Sequence, residues 1–273
     1  MTPIVVKFGG ELLEEPAKLQ AVVTAMAKVA AAAPLVIVHG GGKEIDARLK
    51  AVGIEKRQVD GLRITDDATL DVVVSVLGAV NTRFVAALGA AGAAAVGLTG
   101  ADGHCGLADV APPHRSVEGR TVDLGRVGVP SDRSETRLIR ATLRDGFVPV
   151  IACIGLGSDG RLLNVNADTF AGHLAARLGA RRLVIAGTTP GVLDEAGATV
   201  RMIEPQTLER LIDSGTATAG MIAKLRGCEH ALRHGVGDVV IVDGRDSAAL
   251  EAAALGTAPP TATRLVTATE SRA

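Results

Sequence analysis

Two lysines stand where this sequence gives lysine little reason to be. Lys7 interrupts the apolar run IVVKF at residues 4–8, and Gly9 and Gly10 follow at once. A charged amine at that depth is costly unless an anion meets it, although a strand-end lysine can also reach back to solvent along its own stem. Lys224 closes the stretch Gly220-Met221-Ile222-Ala223-Lys224. Arginine supplies 22 of the 29 basic residues, and from residue 57 onward the chain has 21 arginines and this single lysine. The skew suggests that a compact ammonium, not a planar guanidinium, is needed there; an ordinary surface lysine is the other reading.

Two further stretches carry polar groups suited to anions. In VIVHGGGKEID (36–46) the glycines open a helix, exposing backbone N–H groups and the positive end of the helix dipole. It is not a Walker loop, since four residues must separate that motif's first glycine from Gly-Lys, and Ser or Thr must follow, whereas Glu44 follows Lys43. A tight strand-to-helix turn would use the same glycines. In LNVNADT (163–169), Asn164, Asn166 and Asp168 recur at every second residue. Asn166 or Asp168 suits a helix N-cap, and three such side chains exceed what a cap requires.

Two lysines, two glycine-rich anion sites and one carboxylate suit phosphoryl transfer, where catalysis is mostly positioning and charge neutralisation. No His or Asp stands out as a general base. An acceptor carboxylate, with an ordinary pKa of about 4.3, is already ionised and needs none.

The elements that must hold these residues are legible in the hydrophobic pattern. Apolar runs at 4–8, 35–38, 94–98, 148–154, 182–187 and 238–243 read as strands buried on both faces. Helix patterns lie between them at about 16–32, 43–52, 66–90, 132–145, 167–179, 204–214 and 219–235. The alternation predicts an α/β fold with a mainly parallel sheet, in which ligands bind beyond the carboxyl ends of the strands. Ser158-Asp159-Gly160 and Glu195-Ala196-Gly197 read as hairpin turns. The segment 66–90 is apolar on more than one stripe, so it is either a central helix of one subunit or one that also meets a second copy.

Composition excludes other classes. Lys+Arg is 29 against 30 Asp+Glu, a formal net charge of −1, which argues against a nucleic-acid or anionic-membrane surface. With no Trp or Tyr and four Phe, base stacking is largely unavailable. Cys105, Cys153 and Cys228 show neither CxxC spacing nor an even count, so no disulfide framework or zinc site is expected, as in a cytoplasmic enzyme. The N-terminal apolar run is too short for a signal peptide, and by inspection no run approaches the roughly 20 residues of a membrane span.

KFGGELL (7–13), VIVHGGGKEID (36–46), DGLRITD (60–66), LNVNADTFAGHLAARLGA (163–180), PGVLD (190–194) and GMIAK (220–224) occur in an order and spacing that resemble the bacterial N-acetylglutamate kinases of the amino-acid kinase superfamily. The resemblance implies a three-layer αβα sandwich in a single domain over 1–273. Residues 1–155 would form an N-terminal lobe for the acyl substrate and dimerisation, and 156–273 a C-terminal lobe for ATP. It implies that MgATP phosphorylates the γ-carboxylate of N-acetyl-L-glutamate to N-acetyl-L-glutamyl 5-phosphate, a step of arginine biosynthesis. Lys7 and Lys224 would stabilise the transferred group, with Asp168 organising both. Gly41, Gly42, Arg63, Asn164 and Asn166 would bind the acyl substrate. Gly9 and Gly10 would line the phosphoryl path, and Thr188, Thr189, Gly191, Gly220 and Met221 would lie on the nucleotide side.

The pattern departs from the family in two places: AGTTPGVLD puts Thr188 and Thr189 where an Asp usually precedes the PGVL-type turn, and Thr218 and Ala219 before GMIAK are slightly off the common pattern. The short lead before Lys7 predicts an arginine-insensitive homodimer, because arginine-inhibited relatives carry an additional N-terminal helix. A kinase for carrier-bound aminoadipate and a non-catalytic ligand sensor of the same fold are the alternatives; keeping Lys7, Asp168 and Lys224 together disfavours the sensor.

Overall fold

Runs of Val and Ile fill the buried strands, and the Gly and Pro residues between them set where each strand stops. The structure, a computed structural model, describes residues 2–116, 119–194, 196–213 and 219–266. The first half contains β1 (Ile4–Phe8), α1 (Pro16–Ala32), β2 (Leu35–His39), α2 (Gly42–Ala51), β3 (Gln58–Val59), β4 (Leu62–Arg63), α3 (Asp67–Ala90) and β5 (Ala95–Thr99). Four short strands follow, β6 (Ala108–Val110), β7 (His114–Arg115), β8 (Thr121–Val122) and β9 (Val127–Pro130), then α4 (Arg137–Arg144), β10 (Val148–Ala152), β11 (Ile154–Leu156) and β12 (Leu162–Val165). The rest is α5 (Ala167–Leu178), β13 (Arg182–Gly187), β14 (Met202–Ile203), α6 (Pro205–Asp213), α7 (Ala219–Arg233), β15 (Val239–Asp243), α8 (Ser247–Leu255) and β16 (Thr263–Leu265).

Among the described residues the main sheet has the order β14-β16-β15-β13-β1-β2-β10-β5. Pairing is parallel from β15 to β5, and β16 runs antiparallel to β15. Helices α1, α3 and α8 pack on one face, and α4, α5 and α7 on the other, giving the expected αβα sandwich. Strands β1, β2, β10 and β13 are buried along almost their whole length, as sheets covered on both faces require.

The sheet order carries the functional geometry. From β1 the chain continues to β2 on one side, whereas β13 continues toward β15 on the other. The boundary between β1 and β13 is therefore a topological switch point, where a crevice opens at the strands' carboxyl ends.

The structure amends several expectations. The run 148–154 is two strands: β10 stays in the main sheet, whereas β11 pairs antiparallel with β12 in a second sheet of order β11-β12-β9-β6. The helix expected from 132 begins at Arg137, and α8 was not anticipated. The hairpin at Ser158-Asp159-Gly160 joins β11 to β12 with Gly160 at φ 80°. Of the other turn, Leu193 pairs antiparallel with Thr199, and Glu195 lies outside the described residues. The expectation of no membrane-length apolar segment needs correction, because the 24-residue α3 is long and apolar enough by length and composition alone. Its Val73, Leu77, Val80, Phe84 and Leu88 are buried and it packs on β5 and β10, which makes it a core helix here.

Candidate active site

Lys7 lies at the carboxyl end of β1, and Asp168 in the first turn of α5, the helix that packs beneath β1 and β13. Both are buried, and Lys7 Nζ sits 2.9 Å from Asp168 Oδ1 as an ion pair. Burial is the largest single influence and pushes the Lys7 ammonium down, but the Asp168 carboxylate, with Glu11 behind it, leaves the pKa above the ordinary lysine value. Lys224, in α7, shifts the other way. Burial dominates, Asp168 opposes it, and the Lys7 charge pushes Lys224 further down. The Asp168 charge therefore acts on both ammonium groups.

Helix packing sets that approach. A Cβ on Gly172 would lie 2.2 Å from Gly227 O, and one on Gly227 would lie 2.6 Å from Asp168 O. Helices α5 and α7 thus touch backbone to backbone, one turn from Asp168 and one turn from Lys224. Neither glycine was singled out in the sequence. The available signal was a glycine inside a helix pattern beside a charged site residue, which costs about 1 kcal/mol relative to Ala unless packing demands it.

The two glycine turns meet in the same way. A Cβ on Gly10 would lie 2.8 Å from Gly41 Cα and 3.0 Å from Gly42 N. Gly41 is the residue before α2 and carries no side-chain cap, so first-turn N–H groups of α2 remain available to an anion. Helices α3 and α5, by contrast, are capped by Asp66 and Asn166. A Cβ on Gly9 would lie 2.5 Å from the Glu11 carboxylate, which adds negative charge near both lysines. Gly187 ends β13 beside this point, and a Cβ there would lie 3.3 Å from Lys224 Nζ.

Arg63 is held by a hairpin. Asp60 and Gly61, at φ 45° and 75°, form a two-residue turn between β3 and β4, the left-handed pair that Asp-Gly supplies readily. Arg63 Nη2 donates to Asp46 Oδ1 at 2.5 Å and to Gly42 O at 3.4 Å, while its Nη1 is buried without a hydrogen-bond partner among the described residues. A guanidinium fork with one half anchored and the other unclaimed is suited to a carboxylate. Asn164 Nδ2 donates to Thr65 Oγ1, which donates to Arg63 O, so Asn164 belongs to the same wall.

The remaining expected residues divide. Asn166 is the N-cap of α5, its Oδ1 accepting from Asp168 N and Thr169 N; that oxygen is committed to the helix rather than to a ligand. Thr188 and Thr189 follow β13 at the mouth of the crevice, half-buried. Gly191 sits apart from the clamp, because a Cβ there would lie 2.4 Å from Thr263 Oγ1, and its close packing holds the Pro190 turn against β16. Gly220 is exposed in the first turn of α7, with Met221 packed partly against the core. The three cysteines are free and buried; burial pushes each thiol up to about 12, so they remain neutral filler, two of them near the lysines.

A switch-point crevice with a lysine–aspartate–lysine clamp and an uncapped helix end defines a phosphoryl-transfer fold. A model of the amino acid kinase family matches residues 2–243, and the chain belongs to that family. Its relatives include acetylglutamate kinase of Novosphingobium aromaticivorans, 42% identical over 259 residues, covering 88% of this chain and 83% of that protein. Acetylglutamate kinase of Nitratidesulfovibrio vulgaris is 41% identical over 248 residues, covering 89% and 80%. Among solved structures, N-acetylglutamate synthase from Neisseria gonorrhoeae, complexed with coenzyme A and N-acetyl-glutamate, superposes with a TM-score of 0.82 at 24% identity. The match covers 97% of this chain but 59% of that longer one. Isopentenyl phosphate kinase gives 0.63 at 20% identity, covering 97% and 99%. At these identities both structures speak to the fold alone.

Proposed function

We propose that the protein transfers the γ-phosphoryl group of ATP to the side-chain carboxylate of N-acetyl-L-glutamate, forming N-acetyl-L-glutamyl 5-phosphate for arginine biosynthesis. The relatives named acetylglutamate kinase support the substrate. The observation that carries the reaction is the clamp of Lys7, Asp168 and Lys224 facing the uncapped start of α2.

In this reading the acceptor carboxylate lies against the Gly41 and Gly42 backbone, and Arg63 takes a second carboxylate of the substrate through its free Nη1. Magnesium would enter on the nucleotide as part of the substrate and would offset phosphate charge. The acceptor oxygen attacks the γ-phosphorus in line as the bond to the β-phosphate oxygen breaks, with no proton to remove. Lys7 and Lys224 meet the charge spread over the transferred group, which is most of what such a transition state needs. The half of the sheet from β1 to β5 serves the acyl substrate, and the half from β13 to β16 serves the nucleotide. A homodimer meeting along α3 completes the proposal, since that helix is apolar on more than one stripe; light scattering checks it.

The deciding assay is hydroxylamine trapping of the acyl phosphate with MgATP and N-acetylglutamate, beside aminoadipate-type acceptors and a Lys224→Ala control. Hydroxamate from N-acetylglutamate, lost in the variant, is expected. Turnover on another acceptor alone would replace the substrate, and turnover on none would refute the kinase reading.

A further inference from the structure

His39 closes β2 immediately before the glycine turn and is fully buried. Its ring stands edge-on to Phe84, with centroids 6.4 Å apart, and Phe84 stands edge-on to Phe8 of β1. Nδ1 lies 3.1 Å from Gly40 O, and Nε2 lies 3.0 Å from Asn81 Nδ2 in the middle of α3. Asn81 Nδ2 is also 2.8 Å from Val150 O in β10 and, at the longer distance of 3.5 Å, from Leu98 O in β5.

These contacts admit one arrangement of protons. Gly40 O only accepts, so His39 Nδ1 carries hydrogen. Val150 O also only accepts, so the amide group facing it is the NH2 of Asn81, and its oxygen turns away toward Gly97, where a Cβ would lie 2.2 Å from it. With NH2 facing the ring, Nε2 must accept. Turning the amide over would set oxygen against oxygen at Val150, and an imidazolium would set N–H against N–H at Asn81. Burial acts in the same direction, pushing the imidazole down to about 4.

We infer that His39 is a positioning residue for phosphoryl transfer: Asn81 locks it as the neutral Nδ1–H tautomer, and that N–H pins the Gly40 carbonyl so that the turn presents Gly41 and Gly42 to the acceptor. The inference rests on the proposed function for the step it positions. Gly40 is held from two other directions, since its N–H donates to Phe8 O at 3.2 Å and a Cβ on it would lie 3.3 Å from Ala167 Cβ at the start of α5. The pin thus ties the acceptor turn to the strand of Lys7 and the helix of Asp168. Asn81 reaches the same turn from α3, so the tautomer is fixed by the sheet's far side.

Two isosteres separate the pin from plain packing. Asn at 39 can place an amide N–H near the Nδ1 position, whereas Gln reaches only toward Nε2. His39→Asn should keep kcat within about tenfold of wild type, while His39→Gln should lose about 10²-fold in kcat, the scale for a misplaced reacting group, with little change in KM for MgATP. Circular dichroism and urea midpoints show whether each variant folds. Nitrogen-15 spectra of wild-type protein, with His39 identified by its contact to Phe84, should show a neutral Nδ1–H ring from pH 5.5 to 8. An Nε2–H or charged ring overturns the lock even where a variant fails to fold. Equal kcat losses in folded Asn and Gln variants overturn the pin. Absent turnover by wild type on N-acetylglutamate would remove the positioned step itself, while the spectrum still reports the tautomer.

Discussion

Gly227→Ala is the sharpest test of how the clamp is built. The added Cβ would lie 2.6 Å from Asp168 O and 2.9 Å from Asp168 C, both main-chain atoms that cannot swing aside. Restoring ordinary contact at 3.4 Å requires α5 and α7 to separate by about 0.8 Å (3.4 − 2.6) at the crossing. Lys224 is one turn back along α7, so its ammonium moves with the helix. A reacting group misplaced by about 1 Å costs about 10²-fold in rate, equivalent to about 2.7 kcal/mol of barrier. Stability should suffer less, because overpacking costs about 1–3 kcal/mol and Ala in place of a helical Gly returns up to about 1 kcal/mol. At about 2–4 °C of Tm per kcal/mol, the fold survives at assay temperature. Hydroxamate formation at saturating substrates, beside a melting curve, separates the two effects. Gly89→Ala is the matched control, since a Cβ there meets nothing within 4 Å. Near-wild-type kcat in Gly227→Ala, or a loss no larger than the unfolded fraction explains, would refute the argument that this glycine contact sets the clamp.

The remaining predictions concern charge. Burial holds the Lys224 pKa below the ordinary 10.5, so an enzyme that needs its ammonium loses kcat as pH rises through that lowered value. Asp168→Asn removes the carboxylate that raises it and should move the alkaline limb to lower pH; a limb that stays in place counts against Lys224 acting as a cation. The stability signs are opposite for the two lysines. Lys7, shifted up, contributes stability below 10.5 that is lost as pH rises through its folded value, whereas the cost of charged Lys224 fades on the same rise. Arg63→Lys keeps a charge but loses the unclaimed Nη1. With a charge-assisted hydrogen bond contributing about 1.5–3 kcal/mol, KM for N-acetylglutamate should rise about ten- to a hundredfold and KM for MgATP should hold. An equal rise in both would place Arg63 outside the acyl pocket.

How much of this could be read beforehand follows from the range of each signal. Every apolar run formed strand, and most did so because burial on both faces writes itself into consecutive residues, whereas β5, expected to be buried as well, is only half-buried at the sheet edge. The run 148–154 broke because Cys153 marks a change of sheet, which composition does not record. Helix α8 was missed although Asp246 caps it, since Ala-rich SAALEAAAL has almost no polar stripe to give a helical period. Lys7 was legible as a charge in an apolar strand, Asp168 as the last of three alternating polar side chains, and Lys224 as the single lysine among the arginines that follow residue 56. Arg63 was legible only through resemblance, because its meaning comes from a hairpin that turns it onto Asp46. The His39–Asn81 bond joins residues 42 positions apart, and Gly172 and Gly227 matter only as a pair. Such signals exist in three dimensions and leave single, ordinary-looking letters in the chain.

The placement of the clamp also constrains how this enzyme can close on its substrates. Lys7 comes from β1 and Lys224 from the helix packed beside β13 and β15, so one lysine belongs to each side of the switch point. β1 and β13 are hydrogen-bonded neighbours in parallel register, Lys7 opposite Ile185 and Phe8 opposite Ala186. A hinge opening between these halves would break that ladder in the buried centre of the sheet, where unpaired backbone groups are costly. Asp168 reinforces the constraint, because α5 packs on both β1 and β13 and its carboxylate faces both ammonium groups. On the proposed function, closure over the substrates would therefore fall to elements outside this ladder, such as the β3–β4 hairpin that carries Arg63 beside the start of α2. On the same reading, Lys7 and Asp168 would be set in the buried sheet and α5 before either substrate arrives.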